Sequence, residues 1–215
     1  MPLGLHDRQA MGQHAGMFPW DGTWLAYFDH PYNHTAQNMR RVEIPIVRYH
    51  IEKFKQGRER LRMLEVGNVL SHYQEIDWPV VDLEEPGCIN IDVMEYEPDE
   101  PVDFLVSIST VEHVSGEPND VLDKLRSFLV PTGQAVITVP TQYNRHLDRR
   151  LRDGVLTADC AIAMRYIGND EWGHCSLEEA LASGRRSCHD RWCGGLVCLY
   201  LLSGTPSGML GRQKE

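Results

Sequence analysis

Acidic, amide and hydroxyl side chains recur in this sequence directly after short apolar runs. Glu65, Gly67 and Asn68 close the run from Leu61 to Val66. Asp82 falls near the end of Trp78 to Leu83, Asp92 follows Cys88 to Ile91, and Ser107 and Ser109 end the run from Val102 to Ile108. If these runs are parallel strands of an open sheet, the polar residues gather at its carboxyl ends, where such sheets bind ligands. A carboxylate in that position accepts both hydroxyls of a ribose, and Asp82 is the residue placed for it. A glycine directly after the first strand lets backbone approach a ligand closely, which marks Gly67. The phosphate loop GxxxxGK[ST] is absent, so the pattern suits a nucleoside that lacks a pyrophosphate.

The elements that must hold these residues follow from periodicity. Arg41 to Lys55 carries Ile44, Val47, Ile51 and Phe54 at steps of three and four, which predicts a helix with Pro45 in its first turn. Four strands are expected from Leu61 to Val66, Trp78 to Leu83, Cys88 to Ile91 and Val102 to Ile108. An amphipathic helix then runs from Asn119 to Val130, is broken at Pro131-Thr132-Gly133, and leads to a fifth strand from Gln134 to Val139. A short helix is expected over Leu147 to Arg152 and a sixth strand over Ala158 to Ile167. A helix over Ser176 to Ser183 opens on a Ser176/Glu179 capping box, and a last strand covers Leu196 to Leu202. Continuous apolar strands interleaved with helices and loops predict an α/β fold, a Rossmann-like, doubly wound, mostly parallel sheet of seven strands.

The chain has 215 residues and a formal net charge of −10, which disfavours nucleic acid as a partner. Arg145 to Arg152 is the one basic cluster and reads as a solvated helix face. No apolar run approaches the ~20 residues of a membrane span, and the N-terminus does not read as a signal peptide, so a cytoplasmic protein with reduced thiols is expected. The segment 1–40, rich in Gly, His, Trp, Tyr and Asn, reads as loop or short helix that forms a lid. Residues 41–204 read as the α/β domain, and 205–215 as a frayed tail. His174-Cys175 and Cys188-His189 with Cys193 match no zinc-knuckle spacing, so no metal is expected. The G-x-S-x-G elbow of a hydrolase is absent.

Five stretches in order resemble the class I methyltransferase family, which uses S-adenosylmethionine (SAM). They are RMLEVGN (Arg62 to Asn68), VVDL (Val80 to Leu83), INIDV (Ile89 to Val93), VDFLVSISTVEHV (Val102 to Val114) and LRSFLVPTGQAVITVP (Leu125 to Pro140). The resemblance implies that SAM is held by Glu65, Gly67, Asn68, Asp82, Leu83, Asp92, Val93, Ser107 and Ser109. It departs from the family at the loop, where G-x-G-x-G is replaced by Gly67-Asn68-Val69-Leu70-Ser71, and the segment to the second strand leaves little room for the usual first helix. The spelling LEVGNVLSHY is similar to a subgroup associated with sugar and surface-polysaccharide modification, which implies a sugar-like acceptor.

Transfer of a methyl group to a hydroxyl needs a base, and His113 is the first candidate because imidazole titrates near neutral pH. Glu112 either orients it or acts in its place; both can instead be backbone-bonding turn residues. Trp20, Trp24, Tyr27, His30, Tyr32, Asn33, His34 and Asn38 suit the wall of a polar small-molecule acceptor pocket or an ordinary packed lid, and Tyr143 and Asn144 suit the same cleft. The expected function is SAM-dependent methylation of a polar small molecule at oxygen. The alternative is a non-catalytic methyltransferase-like domain with a degenerate loop. A NAD-dependent dehydrogenase is disfavoured because Gly67 lacks companion glycines.

Overall fold

The computed structural model describes residues 15–184 and 194–203. Its N-terminal part is a hairpin, β1 (Met17–Trp20) and β2 (Thr23–Ala26), followed by a 3-10 turn over Tyr32–Gln37 and helix α1 (Arg40–Lys55). Then come β3 (Met63–Val66), β4 (Val80–Val81), β5 (Val102–Ile108), α2 (Pro118–Ser127), β6 (Leu129–Pro140) and α3 (Arg145–Arg152). Strands β7 (Cys160–Gly168) and β8 (Glu171–His174), helix α4 (Leu177–Ala182) and β9 (Gly195–Leu202) complete the order.

Seven strands form one sheet in the order β4-β3-β5-β6-β9-β7-β8. β4, β3, β5 and β6 pair in parallel. β9 is antiparallel to β6 and to β7, so β7 points the same way as the parallel set, while β8 runs against it. Alternate residues face opposite layers, as the pleat requires. Leu105, Ala135, Ile137, Val197 and Leu199 pack with α2, α3 and α4. Phe104, Val106, Val136, Leu196 and Cys198 pack with α1 and the hairpin. The sheet is therefore apolar on both faces, and full burial of each large side chain contributes ~1.5–3 kcal/mol.

The outlying elements are tied by specific bonds. Trp20 Nε1 donates to His50 Nε2 at 3.0 Å, and the Tyr200 hydroxyl lies 2.8 Å from the same nitrogen. Burial pushes the His50 pKa down to about 4, so the neutral ring serves as the acceptor that joins hairpin, helix and sheet. The capping box at Ser176 and Glu179 is present at the start of α4.

Several expectations change. The segment read as loop or short helix contains the β1–β2 hairpin, whose Asp21-Gly22 turn has positive φ at both residues, as a primed turn needs. β8 is a second missed strand, reached from β7 through Asn169-Asp170, again with positive φ at both. Cys88 to Ile91 contributes only a parallel bridge between Ile89 and Val81, because Asn90 turns back to bond the Asp82 and Glu85 carbonyls. The strand expected over Trp78 to Leu83 pairs only at Val80–Val81: Pro79 has no N–H for the ladder, and Asp82 starts a turn. The helix expected to reach Val130 and be broken by Pro131-Thr132-Gly133 ends at Ser127, and those three residues lie inside β6, at a register shift against β5.

Pro45 sits in the second turn of α1, not the first. It leaves the Arg41 carbonyl without its helical donor, and Phe28 N–H takes that place at 2.9 Å. The segment after Gly67 holds only a 3-10 turn, Leu70–His72, in line with the little room expected there for a helix. The tail after Gly204 and the Cys188, His189 and Cys193 positions lie outside the described residues. Among the described residues no group of three His, Cys, Asp or Glu is arranged to hold a metal, and no helix is long and apolar enough to cross a membrane.

Candidate cofactor and acceptor site

A cavity of about 520 Å³ opens at the carboxyl ends of β3, β4 and β5. Gly67, Asn68, Asp82, Leu83, Asp92, Val93, Ser109 and His113 all line it. So do Glu84, Glu85, Ile91, Thr110 and Val114, which the strand-end reading did not single out. Glu65, Ser107 and Glu112 do not line it. They are buried around it, and each supports a different wall.

Gly67 is fixed by its surroundings. Its φ of 85° lies in the left-handed region, and an added Cβ would fall 2.7 Å from Thr110 Cβ, with the Thr110 hydroxyl closer still. Its N–H extends the ladder to the Val81 carbonyl at 2.8 Å. Gly67→Ala is expected to cost about 2–4 kcal/mol, from backbone strain together with overlap. Urea unfolding will measure it; a loss below about 0.5 kcal/mol would refute the close Gly67–Thr110 approach.

The next three N–H groups of the loop are already used. Asn68 N–H donates to Asp82 Oδ2 at 2.8 Å, and Val69 and Leu70 N–H donate to Glu65 Oε1 at 3.0 and 2.7 Å. Carboxylates of the chain itself thus fill the concavity that later glycines would leave open to a ligand. Ser71 Oγ donates to Asn68 Oδ1, so these two side chains close on each other. Burial pushes the Glu65 pKa up to about 7 against the pull of its two backbone donors. Its Oε2 and the nearby Trp78 indole N–H are both buried without a well-aligned partner, although the indole still favours the charged carboxylate.

Asp82 also accepts from Glu84 and Glu85 N–H, both at 3.0 Å on Oδ1. Burial opposes its ionisation, but these backbone donors outweigh burial and hold its pKa below the ordinary value. A carboxylate has roughly four acceptor sites, and three N–H groups leave Oδ2 room for about one more donor. Asp92 Oδ1 accepts Met94 N–H at 2.9 Å. Leu83 is 62% exposed into the cavity, opposite the apolar Ile91, Val93 and Val114. Ser107 Oγ donates to the Val66 carbonyl at 2.9 Å and locks β5 to β3 beneath the cavity.

A second cluster borders the cavity on the β5–β6 side. Ser109, at φ 43°, donates from Oγ to Glu43 Oε1 at 2.6 Å. Thr138 Oγ1 donates to the same oxygen at 2.8 Å, and Arg40 pairs with Glu43 Oε2 at 2.7 Å. Glu43 is fully buried. Its neighbour Glu112 is buried with Oε2 unpartnered; burial, with a further push from Glu43, raises the Glu112 pKa to about 8. His113 follows it in the 3-10 turn Val111–His113, with Nε2 3.9 Å from Glu112 Oε1. Burial and then the Arg40 charge lower the His113 pKa, which keeps the ring neutral near pH 7. The Tyr143 ring lies edge-on to it at 4.7 Å. Asn144 does not reach into the cavity. Its Nδ2 donates to the Glu112 carbonyl at 2.9 Å, and its Oδ1 caps α3.

Glu43 and Arg40 were missed from the sequence, yet a signal exists. Glu43 stands four residues before Val47, on the apolar stripe of α1, and a carboxylate on a core-facing stripe is rarely left unpaired. In the N-terminal segment, Tyr32 stacks on His72 at 4.4 Å and meets Tyr73 at 5.6 Å, while Phe28 and His30 contact Tyr73 from the other side. These rings cover the short turn Leu70–His72. Trp20 and Tyr27 are packing residues, the latter bonded to Trp172 N–H at 2.7 Å.

The chain matches no protein-family model, and no curated protein matches it. Solved structures align with it over most of its length, at low identity and low score. The N-methyltransferase NodS from Bradyrhizobium japonicum WM9, in complex with S-adenosylhomocysteine (SAH), aligns at 13% identity and TM-score 0.44 over 79% of this chain and 95% of its own. A SAM-dependent methyltransferase from Clostridium acetobutylicum aligns at 10% identity and TM-score 0.40 over 73% and 90%. At such identities and scores, what those proteins bind says nothing by itself of this chain.

Proposed function

We propose that the chain is a SAM-dependent methyltransferase acting on a polar small molecule, with an oxygen of a sugar-like compound as the first acceptor class to test. The observation that carries this reading is the cavity at the carboxyl ends of β3–β5, with an ionised Asp82 on one side and an apolar slot on the other.

The cavity volume lies in the range of small-molecule sites, and its donor set suits an adenosyl group. Asp82 Oδ2 takes one ribose hydroxyl, and the neighbouring Glu84 carboxylate is placed for the second. Leu83, Ile91, Val93 and Val114 hold the purine faces, with Asp92 at their edge. The loop N–H groups are spent on Glu65 and Asp82, so the amino-acid end must be held otherwise. Arg40 is not among the cavity-lining residues, but it pairs with Glu43, which holds the cavity residue Ser109, and it is the cation proposed for the cofactor's carboxylate. When bound, SAM supplies an activated methyl group on its sulfonium.

The chain's own part is to orient the acceptor and take up its proton. His113 is neutral, faces the cavity, and is the group that accepts that proton. Glu112 is enclosed and positions His113 from behind without touching an acceptor.

Calorimetry with SAM and SAH tests the reading. Binding of either in the micromolar range is expected; no binding to either would favour a non-catalytic domain whose loop has closed on itself. Asp82→Asn is expected to weaken SAH binding at least about tenfold, as loss of a charged hydrogen bond implies. Unchanged affinity would remove Asp82 from the ribose role.

A further inference from the structure

Helix α3 carries four arginines against one aspartate in a chain of net charge −10. Arg145, Arg149 and Arg152 are exposed and stand at i, i+4 and i+7, on one face of the helix. Arg149 and Arg152 lie in the last turn, where a cation favours the helix dipole, but the helix has stronger supports than these. It is packed through Leu147 and Leu151, capped by Asn144, and tied to the preceding turn by Asp148, which accepts Gln142 N–H through both oxygens. Arg150 and His146 face the other way and share Glu117, at 2.6 and 3.5 Å. Among the described residues no ion pair within 4.0 Å holds Arg145, Arg149 or Arg152. The acids beside them in the sequence are buried Asp148, whose carboxyl feels the Arg152 charge, and exposed Asp153. Arg145 opens the helix, where a cation opposes the helix dipole by ~0.3–1 kcal/mol, so helix stability does not account for it.

The stripe also has a defined place. The residues just before the helix are pinned to the cavity wall: Asn144 donates to the Glu112 carbonyl at 2.9 Å, and Tyr143 meets the His113 ring at 4.7 Å. From that point the three arginines run outward over about 10 Å, seven residues at 1.5 Å each. The Asp82, Glu84, Glu85 and Asp92 carboxylates line the cavity itself.

We propose that Arg145, Arg149 and Arg152 form an anion-binding rail for the acceptor, which carries a phosphate or diphosphate outside the cavity while its methylated end lies at His113. The rail rests on the methyltransferase reading for its purpose, though not for its binding chemistry. Guanidinium groups pair bidentately with phosphate oxygens, and a stripe on an otherwise acidic surface steers such a molecule to one mouth of the site.

Titration of inorganic pyrophosphate into the full chain by calorimetry at low salt tests it, with SAH titrated in parallel. The wild type is expected to bind pyrophosphate, with affinity falling as salt rises. The triple variant R145Q/R149Q/R152Q is expected to bind about tenfold more weakly, as the loss of three exposed charge pairs implies, with SAH affinity unchanged. The control R58Q/R60Q, on exposed positions elsewhere, is expected to bind as the wild type does. Absence of pyrophosphate binding by the wild type, equal binding by the triple variant, or an equal loss in the control would each overturn the rail. A single-stranded oligonucleotide that binds the rail far more tightly than pyrophosphate would overturn the small-molecule assignment. Pyrophosphate binding that depends on the stripe, beside no binding of SAM or SAH, supports the rail and refutes the cofactor reading alone.

Discussion

Glu43→Ala is expected to destabilise the protein by about 3–5 kcal/mol, the cost of breaking a buried charge pair and stranding its partners. The Glu43 side chain is fully enclosed and takes three donors from three elements: Arg40 on its own helix, Ser109 after β5 and Thr138 in β6. Its removal leaves two hydroxyls and a guanidinium, largely shielded from water, with no acceptor. Glu43→Gln keeps an oxygen for the two hydroxyls and loses only the charge opposite Arg40, so a smaller cost of about 1–2 kcal/mol is expected. Urea unfolding of both variants reads these values. Equal, small losses would show that the cluster relaxes without Glu43. Under the proposed function the same variants weaken SAH binding, because Arg40 loses the residue that fixes it.

What could be seen of this architecture in the sequence divides along physical lines. Strand β5 and helices α2, α3 and α4 were legible because their signals are local: an uninterrupted apolar run, an i, i+3, i+4 stripe, a capping box. The β1–β2 hairpin also had a local signal, Asp21-Gly22, but its strands are only four residues each and carry little alternation. β4 and the Ile89 bridge were overread for the opposite reason. Their apolar residues belong to a strand edge that Pro79 and the Asp82 turn cut short. At the site, the residues named by the strand-end rule that line the cavity are Gly67, Asn68, Asp82, Asp92 and Ser109; the family resemblance added Leu83 and Val93, and the search for a base added His113. The rule could not say that Glu65 and Asp82 would spend their oxygens on the loop's own N–H groups. That outcome depends on side-chain rotamers across three strand ends, which spacing does not encode. Glu43 shows on the apolar stripe of α1 as a carboxylate that needs partners, but two of those partners, Ser109 and Thr138, lie 66 and 95 residues away and cannot be read from spacing.

Glu112→Gln is expected to stabilise the protein at alkaline pH, by on the order of 4–5 kcal/mol at pH 9, and by under about 1 kcal/mol at pH 5. The sign follows from where the proton is held. In the unfolded chain a glutamate gives up its proton near the ordinary value of 4.5; in the folded state burial, with Glu43 beside it, holds it to about 8. Between those values the folded state binds the extra proton, so stability is greatest below about 4.5 and falls as pH rises toward 8. Above 8, folding must enclose a second carboxylate beside Glu43, offset in part by the Arg40 charge and with one oxygen unpartnered among the described residues. Glutamine carries no proton to lose and removes this slope. Glu65, pushed up to about 7 by burial, adds a slope of the same sign that remains in Glu112→Gln. His50 acts in the opposite sense: its stabilising contribution is complete above about 6.5 and is lost as pH falls through about 4, so it limits stability at acid pH instead. Urea midpoints of wild type and Glu112→Gln between pH 5 and 9 separate these contributions. Parallel curves across that range would mean that the Glu112 carboxyl reaches water and titrates as an ordinary glutamate. The turn that positions His113 would then be an open one, and Glu112 could meet an acceptor directly.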